Sequence, residues 1–224
     1  MPKTLALIHT GAFLPQVFTK LCQELMPDVK VFNIVDESLI NNTIAANQLT
    51  PATSKRLAHY LESAEEAGAD AILVTCSSIG PAVEAARPFI NIPVLRVDEP
   101  MADEAVRVGR RIGVIATLST TLKPTVNLIK ARAAAQDREI EIVEYLCEGA
   151  FQAVVSGDTA THDRIVTAGL MELMDKVDVV VLAQASMARV AEAIPANEKK
   201  VPILASPRLG VAAAKEALAA LTSK

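Results

Sequence analysis

The amino-acid sequence repeats itself with a period of about half its length of 224 residues. Residues 70–80 align without a gap on residues 178–188, which sets Cys76 against Gln184 at an offset of 184 − 76 = 108. Two further pairs of segments match in the same order: residues 92–95 with 201–204, at 201 − 92 = 109, and residues 5–10 with 112–117, at 112 − 5 = 107. Three ordered matches at nearly one offset predict two similar, duplicated lobes.

Short aliphatic runs alternate with stretches of helical periodicity along both halves. The stretch 51–67, for example, places Leu57, Leu61 and Ala64 on one helical face and charged residues on another. The runs that predict strands are residues 5–8, 29–35, 71–74, 94–97, 112–116, 140–143, 177–182 and 203–205. This alternation predicts an α/β fold of two pseudo-symmetric lobes, each a mostly parallel sheet flanked by helices.

The predicted lobe boundary lies near Asp98. The first lobe comprises residues 1–98 together with residues 210–224, whose helix, 210–222, is expected to return and pack on it; the second lobe comprises residues 99–209. In parallel α/β sheets, ligands bind outside the carboxyl ends of the strands. The active site is therefore expected in the cleft between the lobes, where the half-sites at Cys76 and Gln184 should face each other.

Composition and charge exclude several functional classes. Hydrophobic residues make up 51% of the chain and aromatic residues only 3%, which favours aliphatic helix-on-sheet packing and argues against disorder. The net charge is −4 and the Lys and Arg residues are scattered, so the sequence shows no basic patch for binding nucleic acid or an anionic membrane. A small, possibly anionic, metabolite is the favoured ligand. No apolar run reaches the roughly 18 residues of a membrane span, and the N-terminus does not resemble a signal peptide. We expect a cytoplasmic protein.

The cysteines and histidines are too scattered for a disulfide framework or a metal site. The three cysteines form no CxxC pair, and the histidines likewise form no cluster: Cys22, Cys76 and Cys147; His9, His59 and His162. No GxGxxG, Walker-type or HExxH motif occurs, so nucleotide-binding and zinc-hydrolase functions lose support. A thiol that matters here would act as a nucleophile or a base.

Cys76 has the strongest case for reactivity among the three cysteines. It follows an aliphatic strand and precedes Ser77, Ser78, Gly80 and Pro81, which suit the opening of a helix. Backbone N–H groups and the helix dipole favour a thiolate there, and the same N–H groups could hold an oxyanion. The alternative is a small buried hydrophobic residue, which is the role we predict for Cys22 and Cys147.

The duplicated halves resemble the aspartate/glutamate/hydantoin racemase superfamily over essentially the whole chain. The resemblance rests on residues 74–78 around Cys76, on residues 116–122 at the start of the second half, and on residues 148–151 followed by Gly157-Asp158 and His162-Asp163. It implies two cysteines that flank the substrate, one removing a proton next to a carboxylate and the other delivering one to the opposite face. It also implies no cofactor, neither metal nor pyridoxal phosphate, and a homo-oligomer.

The second cysteine position of that family is Gln184 in this chain. An amide has no accessible pKa near neutrality and cannot act as a general acid or base, so two-base racemisation is not expected. Gln184 could still donate hydrogen bonds to a carboxylate or a developing enolate. The related arylmalonate decarboxylases also use one cysteine, but theirs lies in the second half.

The remaining candidates follow predicted strands. His9 ends the first strand and is either a proton-transfer group or a structural histidine. The hydroxyl-rich turn beginning at Thr117 could bind a carboxylate or phosphate, or could simply cap a helix. Arg96, Asp98 and Glu99 could bridge the lobes, and Glu148 could lie near the cleft. The candidate catalytic residues are Cys76, Gln184 and His9, and the candidate substrate-binding residues are Thr10, Thr75, Ser77, Ser78, Thr117, Ser119, Thr120, Thr121, Ala185 and Ser186.

Three functions remain open on this basis. The first is a cofactor-independent isomerase or epimerase of a small hydroxy-, keto- or amino-acid-like compound, with Cys76 as the base and Gln184 stabilising the enolate. The second is a decarboxylase or other lyase that uses the thiol as proton donor to an enolate. The third is a non-catalytic metabolite-binding protein.

Overall fold

The structure, a computed structural model, describes residues 2–221 and confirms the predicted fold class. Within these residues two parallel sheets of four strands each are flanked by helices. The strands are β1 (Thr4–His9), β2 (Lys30–Val35), β3 (Ala71–Val74), β4 (Val94–Arg96), β5 (Arg111–Ala116), β6 (Glu141–Leu146), β7 (Val179–Leu182) and β8 (Ile203–Ala205).

The helices follow the strands in regular alternation. They are α1 (Leu14–Leu25), α2 (Ser38–Ala45), α3 (Pro51–Glu66), α4 (Gly80–Ala86), α5 (Glu99–Val108), α6 (Ser119–Ala135), α7 (Ala150–Val155), α8 (Thr159–Met174), α9 (Ala188–Ala193) and α10 (Ser206–Ala220). Short 3₁₀ turns occur at Ser77–Ile79, Arg87–Phe89, Ala185–Met187 and Ala196–Glu198. None of the helices described between residues 2 and 221 has the length and apolar character needed to cross a membrane.

The two sheets share one topology. Their strand orders are β2-β1-β3-β4 and β6-β5-β7-β8, and every neighbouring pair is parallel. In the first sheet Ile8 lies opposite Val74, and in the second Ile115 lies opposite Leu182. Because all strands of a sheet run in one direction, their carboxyl ends share one edge, where the candidate residues follow them.

The chain divides into two compact units. Unit 1 comprises the residues up to Asp98 together with those from Pro207 onward, and unit 2 comprises Glu99–Ser206. The last helix begins at Ser206 rather than at residue 210, because Pro207 occupies its first turn, where proline is well tolerated. Residue 1 and residues 222–224, including the predicted helix end at Thr222, lie outside the described residues.

Two predicted strand limits were wrong, one in the edge strand β6 and one in the inner strand β7. β6 was predicted over residues 140–143 but pairs with β5 as far as Leu146. Its exposed Glu141, Glu144 and Leu146 alternate with half-buried residues, so a search for continuous apolar runs ends too early. β7, in contrast, starts later than predicted, at Val179, and is buried throughout.

A carboxylate anchors the start of the same strand pair in each unit. Asp70, just before β3, accepts a hydrogen bond at 2.7 Å from the backbone N–H of Thr4 in β1. Asp178, just before β7, accepts from the N–H groups of Arg111 and Arg110 at 2.7 and 2.9 Å. These backbone hydrogen bonds hold the pKa of Asp70 and of Asp178 below the ordinary aspartate value. The repeated anchor supports the duplication inferred from the sequence.

Each unit has its own aliphatic core. In unit 1, Leu57 and Leu61 of α3 pack in one cluster with residues of β3. In unit 2, Leu170 and Leu173 of α8 pack in one cluster with residues of β7. Helix α8 also lies close to β5: a Cβ built on Gly113 would lie 2.7 Å from the Leu173 Cγ atom. A glycine is therefore required at this point of the sheet.

We expect Gly113→Ala to lower the free energy of unfolding by about 1–3 kcal/mol, because the added methyl group overpacks a full core. Urea unfolding measures the change, and Leu173→Ala is the matched partner variant. The double variant should be more stable than the sum of the two single effects, since the truncated leucine makes room for the new methyl group. Strict additivity would contradict the predicted contact.

Candidate active site

Cys76 lies directly after the carboxyl end of β3. It adopts an extended backbone conformation (φ −134°, ψ 120°) and begins the 3₁₀ turn Ser77–Ile79, which leads into α4. The thiol is half-buried, whereas the two serines that follow it are buried. Within this turn, the backbone N–H groups of Ser78 and Ile79 point towards the cysteine side chain.

The Cys76 thiol is placed among hydrogen-bond donors but is also removed from water. Burial raises the pKa of the Cys76 thiol above its ordinary value. The Thr10 hydroxyl and the N–H groups of Ser78 and Ile79 donate to the sulfur and lower its pKa, while the nearby Asp98 carboxylate raises it. The net direction is upward. The sequence predicted donors that favour a thiolate, and these are present, but their effect is smaller than that of desolvation.

The other two cysteines are core residues with less acidic thiols. Cys22 on α1 is 2% exposed and Cys147 after β6 is 1% exposed. Burial raises the pKa of each thiol to about 11. They serve as internal controls for any chemistry assigned to Cys76.

His9 is fully buried at the end of β1. Its Nδ1 lies 2.8 Å from the Thr75 hydroxyl oxygen, which is also 3.1 Å from the Ile8 carbonyl oxygen, and in the neutral ring Nδ1 accepts from this hydroxyl. Its Nε2 donates to the Asn33 side-chain oxygen Oδ1 on β2 at 2.9 Å. Burial lowers the pKa of His9, and the Asn33 contact raises it by a smaller amount. The histidine connects three strands beneath Cys76, and its predicted catalytic role stays a prediction.

The substrate-binding candidates of unit 1 are mostly buried. Thr10, Thr75, Ser77 and Ser78 are each 6% exposed or less. The Thr10 hydroxyl donates to Cys76 and the Thr75 hydroxyl joins His9 to Ile8. Thr10 therefore acts on the thiol itself and Thr75 on the neighbouring His9, and direct contact of any of the four residues with substrate stays a prediction.

Gln184 occupies in unit 2 the backbone position that Cys76 occupies in unit 1. It follows β7 in an extended conformation (φ −133°, ψ 137°) and begins the 3₁₀ turn Ala185–Met187. Its Oε1 accepts from the Thr117 backbone N–H at 2.6 Å, and its Nε2 donates to the Thr117 hydroxyl at 2.8 Å. The amide is thereby held against the end of β5.

The hydroxyl-rich segment after β5 opens α6. Ser119 is its first residue, Thr121 is 4% exposed, and the Thr120 Oγ1 atom is buried without a hydrogen-bond partner among residues 2–221. Ala185 and Ser186 follow Gln184 and are half-buried. The structure thus brings Thr117 and Gln184 together, while substrate binding by the whole set stays a prediction, as does the cleft in which the half-sites were expected to face each other.

The polar network beneath Cys76 has no counterpart in unit 2. The alignment of the repeats sets His9 against Ala116 and Thr75 against Ala183. Likewise, the buried Arg96 and the glycine that opens α4, Gly80, correspond to alanines, at positions 205 and 188. Two similar scaffolds therefore carry different chemistry at the same strand ends.

Arg96 and Asp98 are neighbours of the thiol that the sequence analysis left outside the candidate set. They are 3% and 1% exposed and form a bidentate ion pair. A signal was visible: Arg96 interrupts an aliphatic strand, and a buried arginine needs a partner. No cluster of three or more histidine, cysteine or acidic side chains within the described part of the chain could hold a metal ion.

Comparison with known proteins agrees with this α/β architecture. The family model for Asp/Glu/hydantoin racemase matches residues 8–214. The chain belongs to the Asp/Glu/hydantoin racemase family, which confirms the resemblance seen in the sequence. No curated protein matches the chain in sequence.

Solved racemase structures share the fold at low sequence identity. A glutamate racemase from Bacillus anthracis is 19% identical with a TM-score of 0.73, and the alignment covers 98% of this chain and 82% of that one. An allantoin racemase from Klebsiella pneumoniae is 18% identical with a TM-score of 0.71, covering 98% and 89%. A glutamate racemase from Francisella tularensis, solved in complex with D-glutamate, is 16% identical with a TM-score of 0.75, covering 98% and 82%.

We expect His9 to make stability fall as the pH is lowered from about 7 to about 5. Its folded-state pKa is depressed below 6.5, so as the pH falls the unfolded chain binds a proton that the folded chain does not. The variant His9→Asn cannot titrate, and its free energy of unfolding should change less between pH values of about 7.5 and about 5.5. Urea unfolding at both pH values compares the two proteins. An equal or steeper pH dependence in the variant would show that the buried ring is already charged when folded.

Proposed function

We propose that the protein is a cofactor-independent isomerase that moves a proton at a carbon next to a carbonyl or carboxylate group, with the Cys76 thiol as its base. The observation that carries the proposal is the environment of this thiol: one half-buried sulfur, at the end of a central strand, that receives hydrogen bonds from Thr10 and from two backbone N–H groups. Membership of the racemase family supports the same chemistry.

The raised pKa of Cys76 suits a base for carbon acids. A thiolate of higher pKa is a stronger proton acceptor, and the three donors around the sulfur stabilise it once it forms. The thiolate removes the proton from carbon, which leaves a neutral thiol and an enolate. The thiol then returns the proton to an adjacent carbon on the same face, which completes an isomerisation without a second thiol.

We assign hydrogen bonding rather than proton transfer to Gln184. Its Oε1 atom accepts from Thr117, and one of its two amide N–H groups donates to the Thr117 hydroxyl. The second N–H has no partner within residues 2–221 and is the donor we assign to a carboxylate or enolate oxygen of the substrate. The buried Thr120 hydroxyl, which is also without a partner there, is a further donor.

A small carboxylate is the proposed substrate class. D-Glutamate is bound by the structural neighbour from Francisella tularensis. In this chain the half-site of unit 2 offers uncharged donors, the Gln184 amide and the Thr120 hydroxyl, and uncharged donors are sufficient to hold one carboxylate group.

We expect Cys76→Ala to lower solvent deuterium incorporation into substrate by about 10²–10⁴-fold, the usual contribution of a positioned base. Proton NMR in heavy water measures the exchange with a panel of amino, hydroxy, keto and sugar acids. The parent rate should increase with pH above neutrality, because the thiol must first ionise and its pKa is raised.

Two matched variants and one parallel measurement make this test specific. Cys22→Ala and Cys147→Ala remove buried core thiols and should leave the exchange intact once folding is verified. Exchange that persists in Cys76→Ala overturns the proposal. Loss of carbon dioxide without a deuterated isomer would identify a lyase, and binding without any exchange would identify a metabolite-binding protein.

We expect Gln184→Glu to increase KM for a carboxylate substrate by at least about tenfold. The new glutamate carboxylate replaces the amide N–H donors and repels the carboxylate of the substrate. The change is nearly isosteric, so the Thr117 N–H can still donate to position 184. Gln23→Glu makes the same amide-to-acid change at an exposed position on α1 and is the matched control. Steady-state kinetics of both variants decide the point, and an unchanged KM in Gln184→Glu would remove this residue from the proposed site.

A further inference from the structure

The strongest unassigned feature of unit 1 is a buried charge cluster behind the turn that carries Cys76. Arg96, the last residue of β4, is 3% exposed and donates to Asp98 through Nε at 3.0 Å and through Nη2 at 2.8 Å. Its Nη1 donates to Glu84 on α4. Burying a charged pair costs free energy unless its geometry is good. The presence of a buried arginine at this position therefore calls for an explanation.

The guanidinium group of Arg96 lies directly against the backbone of Gly80. A Cβ built on Gly80 would lie 2.3 Å from the guanidinium carbon of Arg96 and 2.6 Å from its Nε atom. Gly80 is the first residue of α4 and closes the 3₁₀ turn Ser77–Ile79 that Cys76 begins. Only glycine at position 80 leaves room for the Arg96 side chain, so the turn and the charge cluster pack directly against each other.

The cluster is specific to the half that carries the cysteine. The repeats align Gly80 with Ala188 and Arg96 with Ala205, and the strand registers agree, since Arg96 lies opposite Val74 as Ala205 lies opposite Leu182. Unit 2 builds the same strand and turn without the Arg96–Asp98 ion pair, although Glu84 does have a counterpart there, Glu192. The scaffold alone therefore does not require the ion pair.

We propose that Arg96 is a positioning residue for Cys76: by clamping Asp98 and by packing on Gly80, it fixes the turn that carries the thiol and keeps the neighbouring carboxylate paired. The inference rests on the proposed role of Cys76 as the base. In this proposal Arg96 affects the acidity of the thiol in two ways. It holds the turn whose N–H groups donate to the sulfur, and it neutralises the charge of Asp98.

Several elements contribute titratable or charged groups around this turn. β1 contributes His9, through Thr75; the end of β4 contributes Arg96 and Asp98; and α4 contributes Glu84. Helix α2 also packs on the turn and has no charged residue between Ser38 and Ala45. Asp98 is the charged group that raises the pKa of Cys76. Releasing its carboxylate from Arg96 should raise that pKa further.

The test is the pH dependence of Cys76 alkylation by iodoacetamide, followed by mass spectrometry of the peptide that contains Cys76. We expect Arg96→Met to move the midpoint upward by at least about one pH unit, which lowers the rate near about pH 8 roughly tenfold. Gly80→Ala, which keeps every charge but displaces the guanidinium group, should move the midpoint in the same direction. Arg96→Lys should also move it, since an ammonium group cannot form the two parallel hydrogen bonds.

Two controls separate positioning from general loss of structure. Arg132→Met removes another bidentate arginine–aspartate pair, with Asp103 in unit 2, and should leave the midpoint unchanged. Adding Asp98→Asn to Arg96→Met removes the unpaired carboxylate and should bring the midpoint back towards the parent value. Circular dichroism confirms folding in each case, and Arg96→Lys and Gly80→Ala decide the question if Arg96→Met does not fold.

An unchanged alkylation midpoint in the folded Arg96 and Gly80 variants overturns the proposal. So does a midpoint that stays raised when Asp98→Asn is added to Arg96→Met. Alkylation needs no substrate, so this result is independent of the isomerase assignment. Loss of exchange activity in Cys76→Ala tests the function, whereas the alkylation midpoint tests Arg96.

Discussion

The register between the two central strands of each sheet decides which side chains meet at its carboxyl end. Ile8 lies opposite Val74, so Thr10 and Cys76, each two residues further along, come into hydrogen-bonding contact. Ile115 lies opposite Leu182, so Thr117 and Gln184 meet in the same way. A slip of one residue would turn every side chain of a strand to the other face. The half-sites therefore depend on the pairing of the central strands, which Asp70 and Asp178 fix at the opposite end.

Two opposing effects set the pKa of Cys76: burial raises it and hydrogen bonds to the sulfur lower it. The aliphatic core that makes the sheet stable also desolvates the thiol, and this raises its pKa. The turn Ser77–Ile79 and the Thr10 hydroxyl compensate in part by donating hydrogen bonds. A site of this kind keeps the thiol protonated at rest and gives a strong base when it ionises, which is the behaviour a carbon-acid isomerase needs.

Local sequence patterns were sufficient for the fold class and for most strands, because buried parallel strands are short continuous apolar runs. They were not sufficient for β6, whose exposed glutamates hide an edge strand. The repeat set Thr117 and Gln184 at strand ends, but the hydrogen bonds between them were not predicted. The packing of Arg96 on Gly80 could not be predicted, because it depends on side-chain conformation across 16 residues of chain, 96 − 80, rather than on any local pattern.

The difference between the two units is itself an argument about mechanism. Backbone angles at Cys76 and Gln184 are nearly equal, so duplication preserved the scaffold at both positions. The buried His9 and Arg96 lie beside the cysteine, and the residues aligned with them in unit 2 are alanines, whereas the buried histidine of unit 2, His162, lies on α8. Buried polar groups are costly and persist where they act on something. The position of His9 and Arg96 beside one thiol is consistent with the proposed division of roles, in which unit 1 transfers the proton and unit 2 supplies hydrogen bonds.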